Sequence, residues 1–372
     1  VLIAGYLGQR KQNEANTTVT HGLLLAFGIG AVLNLLSLLI MKPYFGAFTN
    51  NEEIYQLSLA YMSVCSFMQI PNMVHIAIQK MIQATGNMVA PMWFQIAGVV
   101  ANFVFDPLLI FGIGVFPAMG IRGAAVATVA GYLLSMILAF ALLLGKKQKV
   151  RIKIKEFHIQ KWMIARIFAL GLPSFIMNAL SSFMVTFVNL FLVAYSDTAI
   201  AFFGAYFKVQ QLIVMTVNGL IQGCLPVMRF NYGAGNSERL HSAFRYGTVL
   251  VTGMMILGTL AVLLFPAQIL GLFTASEAMR SFGISAMRIM AASYLFCGLS
   301  TMISTYFQAT EKVGSSMAIQ LCRQMLFFIP VLWCLDKLFQ LNGIWLAFPV
   351  AETATLLVAL VMMAWHRRKN IS

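Results

Sequence analysis

The clearest chemistry in this sequence comes from a carboxyl group and an amide that lie one helical turn apart within an apolar segment. Asn102 precedes Asp106 by four residues, and residues four apart share one face of a helix. The amide can hydrogen-bond the carboxylate or hold a water beside it. Loss of hydration favours the protonated form of a carboxyl group, so this pair suits the uptake and release of a proton. The alternative is that Asp106 braces a kink at Pro107.

Few other residues are spaced for chemistry. The five cysteines lie in separate apolar segments without metal-ligand spacing, and the five histidines are scattered. The sequence has no phosphate-binding P-loop, no nucleophile elbow and no zinc motif. We therefore expect a protein that is not an enzyme and that uses neither an organic cofactor nor a metal. Its energy would come from an ion gradient or a partner.

The composition predicts that most of the chain lies in a lipid bilayer. Of the 372 residues, 60% are apolar and 10% charged, more apolar surface than a soluble fold of this size can bury. Runs of about 20 apolar residues cross a hydrocarbon core of about 30 Å, and long runs without alternation are helices. We predict ten spanning helices, at 21–42, 54–83, 88–112, 122–145, 166–194, 199–228, 243–265, 283–310, 313–335 and 343–365.

The chain repeats itself at a fixed offset of 225 positions. Gly8 aligns with Gly233, and Gln-Ala-Thr at 83–85 aligns with the same tripeptide at 308–310. Six predicted helices separate the two copies, and this even number means that both copies enter the membrane in the same direction. The fold class we predict is therefore an all-α polytopic membrane protein with two six-helix lobes related by a parallel repeat.

The offset also predicts the domain organisation. We expect an N-lobe at 1–146 with helices 3–6, a basic cytoplasmic linker at 147–162, and a C-lobe at 163–372 with helices 7–12. The start of the C-lobe, 163–225, would match positions before residue 1. We therefore expect an N-terminally truncated chain that has ten of twelve helices, with the first two helices of the N-lobe missing. A natural ten-helix variant is the alternative.

The positive charges predict the orientation in the membrane. Seventeen of the 25 basic residues fall in every second loop, and lysine and arginine gather in cytoplasmic loops. We expect a multi-pass protein of the plasma (inner) membrane with a cytoplasmic C-terminus. The net charge of +14 then requires no nucleic-acid partner. The linker at 147–162 either follows the same rule as a solvated segment or lies on an anionic leaflet.

Five strings resemble one family of transporters in their order and spacing. They are IQATGN (82–87), NFVFDPLLIFGIG (102–114), GIRGAAVATVAG (120–131), GLPSF (171–175) and NYGAGN (231–236). Together they are similar to the multidrug and toxic compound extrusion (MATE) family, and the resemblance covers essentially the whole chain. It implies two six-helix lobes around a central cleft and the export of cationic, lipophilic small molecules in exchange for protons or sodium ions, with no obligate protein partner evident.

The resemblance assigns a proton-coupling role to Asn102 and Asp106, which match the asparagine and aspartate of the proton-coupled branch. The sodium-coupled branch has acids on the seventh and tenth helices, and this chain has none in those segments. Hard cations prefer oxygen ligands that include a carboxylate, so we expect a proton gradient and keep sodium coupling as an alternative. A lipid-linked oligosaccharide flippase is a further alternative, for which Arg288 and Arg323 would supply positive charge.

Polar and methionine side chains within the predicted spans are candidates for the substrate cleft. Glu352 either attracts a cationic substrate or pairs with Arg323, and pairing is favoured because buried charges need a partner. Lys208 and Gln211 make the eighth helix polar, which fits a cleft or an interhelical seam equally well. The full set of candidates is Gln79, Gln83, Met177, Asn178, Ser181, Met184, Lys208, Gln211 and Glu352.

Overall fold

Every regular element that the structure describes is a helix, which confirms the all-α fold class. The structure is a computed structural model. It describes residues 1–49, 51–145, 148–153, 158–273 and 276–369. The chain divides into two compact units, one of Leu2–Ile164 and one that begins at Ala165.

The described part of the N-terminal unit forms six helices. They are α1 (Leu2–Gly8), α2 (Gln12–Phe48), α3 (Glu52–Cys65), α4 (Gln69–Gln83), α5 (Val89–Phe111) and α6 (Ile121–Leu143). A short 3₁₀ turn at Ser66–Met68 joins α3 to α4. Helix α6 packs on α3, α4 and α5, and α2 packs on α3 and α4.

The remaining helices follow from Lys161 onward. They are α7 (Lys161–Leu192), α8 (Asp197–Gly233), α9 (Ser237–Leu264), α10 (Pro266–Gly271), α11 (Glu277–Ala291), α12 (Ser293–Ala309), α13 (Val313–Leu321) and α14 (Phe328–Lys369). A π-helical turn at Cys322–Leu326 connects α13 to α14. Helix α12 is central to the C-terminal unit because it packs on α8, α9, α13 and α14.

Eight helical runs in the described residues are long and apolar enough to cross a membrane. The number differs from the ten predicted segments for two structural reasons. The predicted segment 54–83 is divided by the 3₁₀ turn between α3 and α4. The last two predicted segments form one run, Val313–His366, with a left-handed residue at Gln340 (φ 51°) between them. The chain is a multi-pass membrane protein.

The sequence repeat is also present in the helix ends. Asn51 Oδ1 accepts hydrogen bonds from backbone N–H groups at the start of α3, and Ser276 Oγ accepts one at the start of α11, at the same offset of 225 positions. Side chains of this kind satisfy N–H groups that a helix leaves without a partner. Gly86 (φ 90°) and Glu311 (φ 58°) are related by the same offset, in left-handed turns that follow α4 and α12.

The offset between equivalent positions changes just before α6 in the N-terminal unit and at Gln340 within α14 in the C-terminal unit. Gly120 (φ 54°, ψ −130°) and Gln340 (φ 51°, ψ −134°) have nearly the same backbone conformation, but they are separated by 220 positions. A Cβ atom on Gly123 would lie 2.4 Å from the carbonyl oxygen of Leu109, and one on Gly343 would lie 1.9 Å from that of Leu335. The C-terminal unit thus reaches the same close approach with a shorter connection, between the two segments of α14 on either side of Gln340.

Helices α5 and α6 approach until their backbones nearly touch. A Cβ atom on Gly98 would lie 2.7 Å from the carbonyl oxygen of Gly131 and 1.8 Å from Ser135 Oγ. Ser135 Oγ also donates a hydrogen bond to the carbonyl oxygen of Phe94, at 3.2 Å. Small residues permit this packing between membrane helices. The contact fixes which face of α5 meets α6, and that face continues from Gly98 to Asn102 and Asp106.

We expect Gly98→Ala to destabilise the protein by about 1–3 kcal/mol, because the added methyl group overpacks the contact with the Gly131 backbone. Gly219→Ala is the matched control, since a Cβ atom there would meet nothing within 4 Å. The control should be neutral or slightly stabilising, because alanine favours helix more than glycine does. Thermal unfolding of the purified variants measures both effects, and equal stabilities would contradict the packing argument.

Candidate functional site

Asp106 lies on the face of α5 that is turned toward protein. The other side of the helix is exposed, with Val99 at 64% and Phe103 at 79% exposure, as expected for side chains that contact lipid. The carboxylate oxygen Oδ1 of Asp106 is buried and has no hydrogen-bond partner among the described residues. A buried carboxyl oxygen in this position is energetically unfavourable in a membrane protein, and such groups are rare.

Polar side chains of α3, α5 and α6 lie in the same part of the N-terminal unit as Asp106. Asn102 Nδ2 donates to Thr128 Oγ1 on α6 at 3.4 Å, and Thr128 Oγ1 donates to the carbonyl oxygen of Ala124 at 3.0 Å. Tyr61 on α3 lies within electrostatic reach of both Thr128 and Asp106. In the described structure Asn102 donates to Thr128 and not to Asp106, so the direct amide–carboxylate hydrogen bond, one of the two possibilities from the sequence, is not formed here.

A second polar centre lies within the C-terminal unit around the guanidinium of Arg323. Its Nε donates to Glu352 Oε1 at 2.8 Å, and both side chains are only 15% exposed. Its Nη1 donates to Thr301 Oγ1 at 2.8 Å, and its Nη2 donates to Cys297 Sγ at 2.6 Å. The ion pair considered from the sequence is therefore present, and α12 supplies two further acceptors.

Arg323 belongs to a helical turn that contains one extra residue. Phe327 N donates to the carbonyl oxygen of Cys322 at 3.0 Å, which is the i to i+5 bond of a π turn. The residue 225 positions earlier is Gly98, in the uninterrupted α-helix α5. Single π turns frequently mark functional positions in helices. Here the turn carries both Arg323 and Gln324, whose Nε2 donates to Ser181 Oγ at 3.0 Å.

A cavity of about 100 Å³ lies beside this turn. Its polar lining combines amide, hydroxyl, thiol and guanidinium groups, and its apolar lining comes from α8 and α9. It extends from buried Cys297 and Gln324 to exposed Asn178. The lining residues are Asn178, Ser181, Val214, Val217, Asn218, Ile221, Met255, Cys297, Thr301, Arg323 and Gln324.

The structure brings only some of the predicted cleft residues together. Asn178 and Ser181 line the cavity, and Glu352 is connected to it through Arg323. In the C-terminal unit Lys208 and Gln211 are exposed on α8, Met184 packs beside the hydrophobic core, and Met177 lies on α7 with its side chain outside the described set. None of these four appears in the cavity lining.

Two of the predicted cleft residues, Gln79 and Gln83, lie in the N-terminal unit, and each has its own hydrogen-bond partner there. Gln79 Nε2 donates to Gln95 Oε1 at 2.9 Å, which joins α4 to α5. Gln83 Oε1 accepts from Lys80 Nζ at 3.4 Å. Each of these two glutamines therefore has a polar partner within the N-terminal unit, and Gln79 has a bridging role between helices.

Sequence reasoning did not select Gln324, Cys297 or Thr301 as cleft residues. Their grouping depends on the π turn and on the side of α12 that faces it, and neither feature has a clear pattern in the sequence. One feature of the sequence did indicate the polar centre around Arg323, because the repeat has Arg323 in the second copy and Gly98 at the equivalent position of the first. Among the described residues, no group of three or more His, Cys, Asp or Glu side chains is placed to hold a metal ion.

Solved transporter structures have the same fold as this chain. One described as the outward-facing conformation of a multidrug resistance MATE family transporter of the MOP superfamily matches with a TM-score of 0.86 and 21% identity, over 99% of this chain and 81% of that chain. A MATE structure in complex with MaD3S matches with a TM-score of 0.89, 21% identity and the same coverage.

Curated relatives match almost the whole chain. Multidrug export protein MepA of Staphylococcus aureus (strain N315) is 25% identical over 362 residues, which are 97% of this chain and 79% of the relative. An FAD transporter of Shewanella oneidensis is 24% identical over 347 residues, 93% of this chain and 76% of the relative.

The family profile named MatE matches residues 1–108 and 173–334, well over half of the sequence. These ranges contain Asp106 and Arg323, the ionisable residues at the middle of the two polar centres, and most of the repeated helices. The chain therefore belongs to the MATE family of multidrug efflux transporters.

Proposed function

We propose that this protein is a secondary active antiporter that exports lipophilic cations in exchange for protons by alternating access. The observation that carries the proposal is the half-buried carboxyl group of Asp106 within a membrane-spanning helix, whose Oδ1 is buried and lacks a partner among the described residues. Ionisable groups at such positions are costly and usually functional. The relatives described as multidrug export proteins support the substrate class.

The coupling follows from the two charge states of one carboxyl group. A protonated carboxyl group is neutral, whereas an ionised one within a membrane protein requires water, a cation or polar partners nearby. The side chains of Asn102, Thr128 and Tyr61 provide polar neighbours that can hold such a water. We place proton coupling in this part of the N-terminal unit.

Protons are favoured over sodium ions by the chemistry of the second polar centre. Sodium is a hard cation that prefers several oxygen ligands, with at least one carboxylate among them. The cavity of the C-terminal unit has no carboxylate in its lining, and Arg323 adds a positive charge to its wall. The described lining therefore offers a sodium ion no carboxylate ligand.

The arrangement of arginines favours drug export over the transport of a lipid-linked oligosaccharide. A pyrophosphate carries several negative charges and needs several cations to hold it. Arg323 is already paired with Glu352, and Arg288 lies exposed on α11 away from the cavity lining. This pattern leaves one guanidinium at the cavity, fewer cations than a pyrophosphate needs.

We place the protein in the plasma (inner) membrane with a cytoplasmic C-terminus. The proposal rests on the basic residues in alternate loops, which gather on the cytoplasmic side of membrane proteins.

We expect Asp106→Asn to abolish proton-driven export, because asparagine has nearly the same shape but cannot ionise. The measurement is the efflux of a cationic dye from vesicles that contain the full-length protein, under an imposed pH gradient. Asp197→Asn is the matched control, since Asp197 is an exposed acid in the first turn of α8. Wild-type efflux by Asp106→Asn under the same gradient would overturn the assignment.

A comparison of imposed gradients tests the coupling ion. We expect a pH gradient to drive dye efflux and a sodium gradient, at equal pH on both sides, to leave it unchanged. The physical reason is that a single carboxyl group suffices for proton transfer, whereas sodium needs a cage of oxygen ligands. Efflux driven only by sodium would replace the proton in this proposal.

A further inference from the structure

We propose that the cavity of the C-terminal unit is a subsite for an anionic group, so that the preferred substrates are lipophilic amines that also carry a carboxylate. The statement about substrates rests on the proposed export function and makes it more specific. The statement about anion binding depends only on the cavity and its side chains, so the two can be tested separately.

The guanidinium of Arg323 has hydrogen-bonding capacity left over. An arginine carries five N–H groups, and the bonds to Glu352, Thr301 and Cys297 use three of them. The other two, one on each terminal nitrogen, have no partner among the described residues. Arg323 forms part of the cavity wall. A carboxylate in the cavity can accept these N–H groups in charge-assisted hydrogen bonds.

The acid that balances Arg323 lies outside the cavity lining. Glu352 accepts from Nε and is not among the residues that line the cavity. Its second oxygen, Oε2, is buried without a partner in the described part of the chain. The ion pair therefore presents its positive end to the cavity and keeps its negative end in the protein behind it.

The remaining polar lining suits an anion. The amide of Asn218 lines the cavity and makes no hydrogen bond within the described residues, so its N–H₂ group can donate. The lining residues that the structure describes include no aspartate or glutamate. The apolar side chains from α8 and α9 exclude water from one side, and hydrogen bonds to an ion are stronger where water is excluded.

Packing alone does not require a charge at this position. In the N-terminal unit the residue 225 positions before Arg323 is Gly98, which meets the backbone of α6 directly. The C-terminal unit instead has the π turn, the ion pair and the cavity. A helix pair of this fold is thus stable without an arginine, which supports a role for Arg323 beyond packing.

The size of the cavity limits what it can bind. About 100 Å³ is much less than the roughly 300–1,000 Å³ of pockets that enclose a drug-sized ligand. A carboxylate or a small free anion fits, and a whole substrate does not. The cavity would therefore hold one group of a substrate and leave the amine and the apolar body outside it.

Binding of trifluoroacetate to the purified full-length protein tests the subsite directly. Broadening of the ¹⁹F resonance reports binding, and trifluoroethanol serves as a neutral probe of similar size. We expect wild type to broaden the trifluoroacetate signal and not that of trifluoroethanol. Glu352→Gln should bind trifluoroacetate more tightly, by about tenfold, because the guanidinium loses its internal competitor. The double variant Arg323→Gln/Glu352→Gln should lose the binding.

Arg288→Gln is the control for loss of one positive charge in the same unit, and it should bind trifluoroacetate as wild type does. Thermal unfolding and size-exclusion profiles establish that each variant is folded. If Glu352→Gln does not fold, the double variant, which keeps polar groups of similar size without leaving a lone charge, still decides the question. Equal broadening by wild type and the double variant, or equal broadening of both probes, would overturn the subsite.

Transport of a matched pair of compounds tests the substrate class. The pair is a lipophilic amine that carries a carboxylate and the methyl ester of the same compound. We expect wild type in vesicles to export the carboxylate form faster, and the double variant to lose this preference by about tenfold, the effect of about 1.4 kcal/mol. An unchanged ratio of the two rates would overturn the substrate assignment.

The two arms separate failure of the subsite from failure of the export function. If wild type exports neither compound but binds trifluoroacetate through Arg323, the export function is wrong and the anion subsite stands. If both compounds are exported while the double variant binds trifluoroacetate like wild type, export stands and the subsite is wrong.

Discussion

A polar group inside a membrane-embedded bundle must be satisfied by the protein itself, and this constraint underlies the structure. The backbone meets it by forming helices, which account for every regular element that is described. Side chains meet it in pairs and networks, such as that of Arg323 with Glu352, Thr301 and Cys297. The requirement is not met at several buried atoms of the described residues, and two of them, Asp106 Oδ1 and Glu352 Oε2, belong to carboxyl groups.

The two units share one arrangement of helices but carry different polar residues at equivalent positions. In the N-terminal unit, Gly98 and Gly131 let α5 and α6 come into backbone contact, and this contact holds Asn102 and Asp106 against polar neighbours. In the C-terminal unit, the equivalent of Gly98 is Arg323, and one extra residue in a π turn accompanies a cavity beside it. The N-terminal unit thus carries Asp106, whose Oδ1 lacks a partner among the described residues. The C-terminal unit carries Arg323, which has two N–H groups without a partner among those residues.

The sequence predicted the spans and the repeat well because both depend on local properties. Apolar length decides whether a segment can cross the bilayer, and the caps Asn51 and Ser276 appear at the offset expected from the repeat. It predicted less well where the backbone departs from regular helix. The 3₁₀ turn after Cys65 and the bend at Gln340 changed the number of continuous helices. The offset of 220 positions that relates Gly120 to Gln340 was missed because few of the residues that follow them are identical between the two copies.

By itself, the sequence determined that this is a helical membrane protein with a doubled plan, and that Asp106, Arg323 and Glu352 are charges set within apolar spans. The tertiary structure decided their partners. Arg323 reaches Glu352 across 29 residues and Thr301 across 22, whereas Asp106 finds no hydrogen bond for Oδ1 in the described chain. The reason is that helical periodicity fixes the face on which a side chain lies, while the identity of its neighbour depends on how closely separate helices pack.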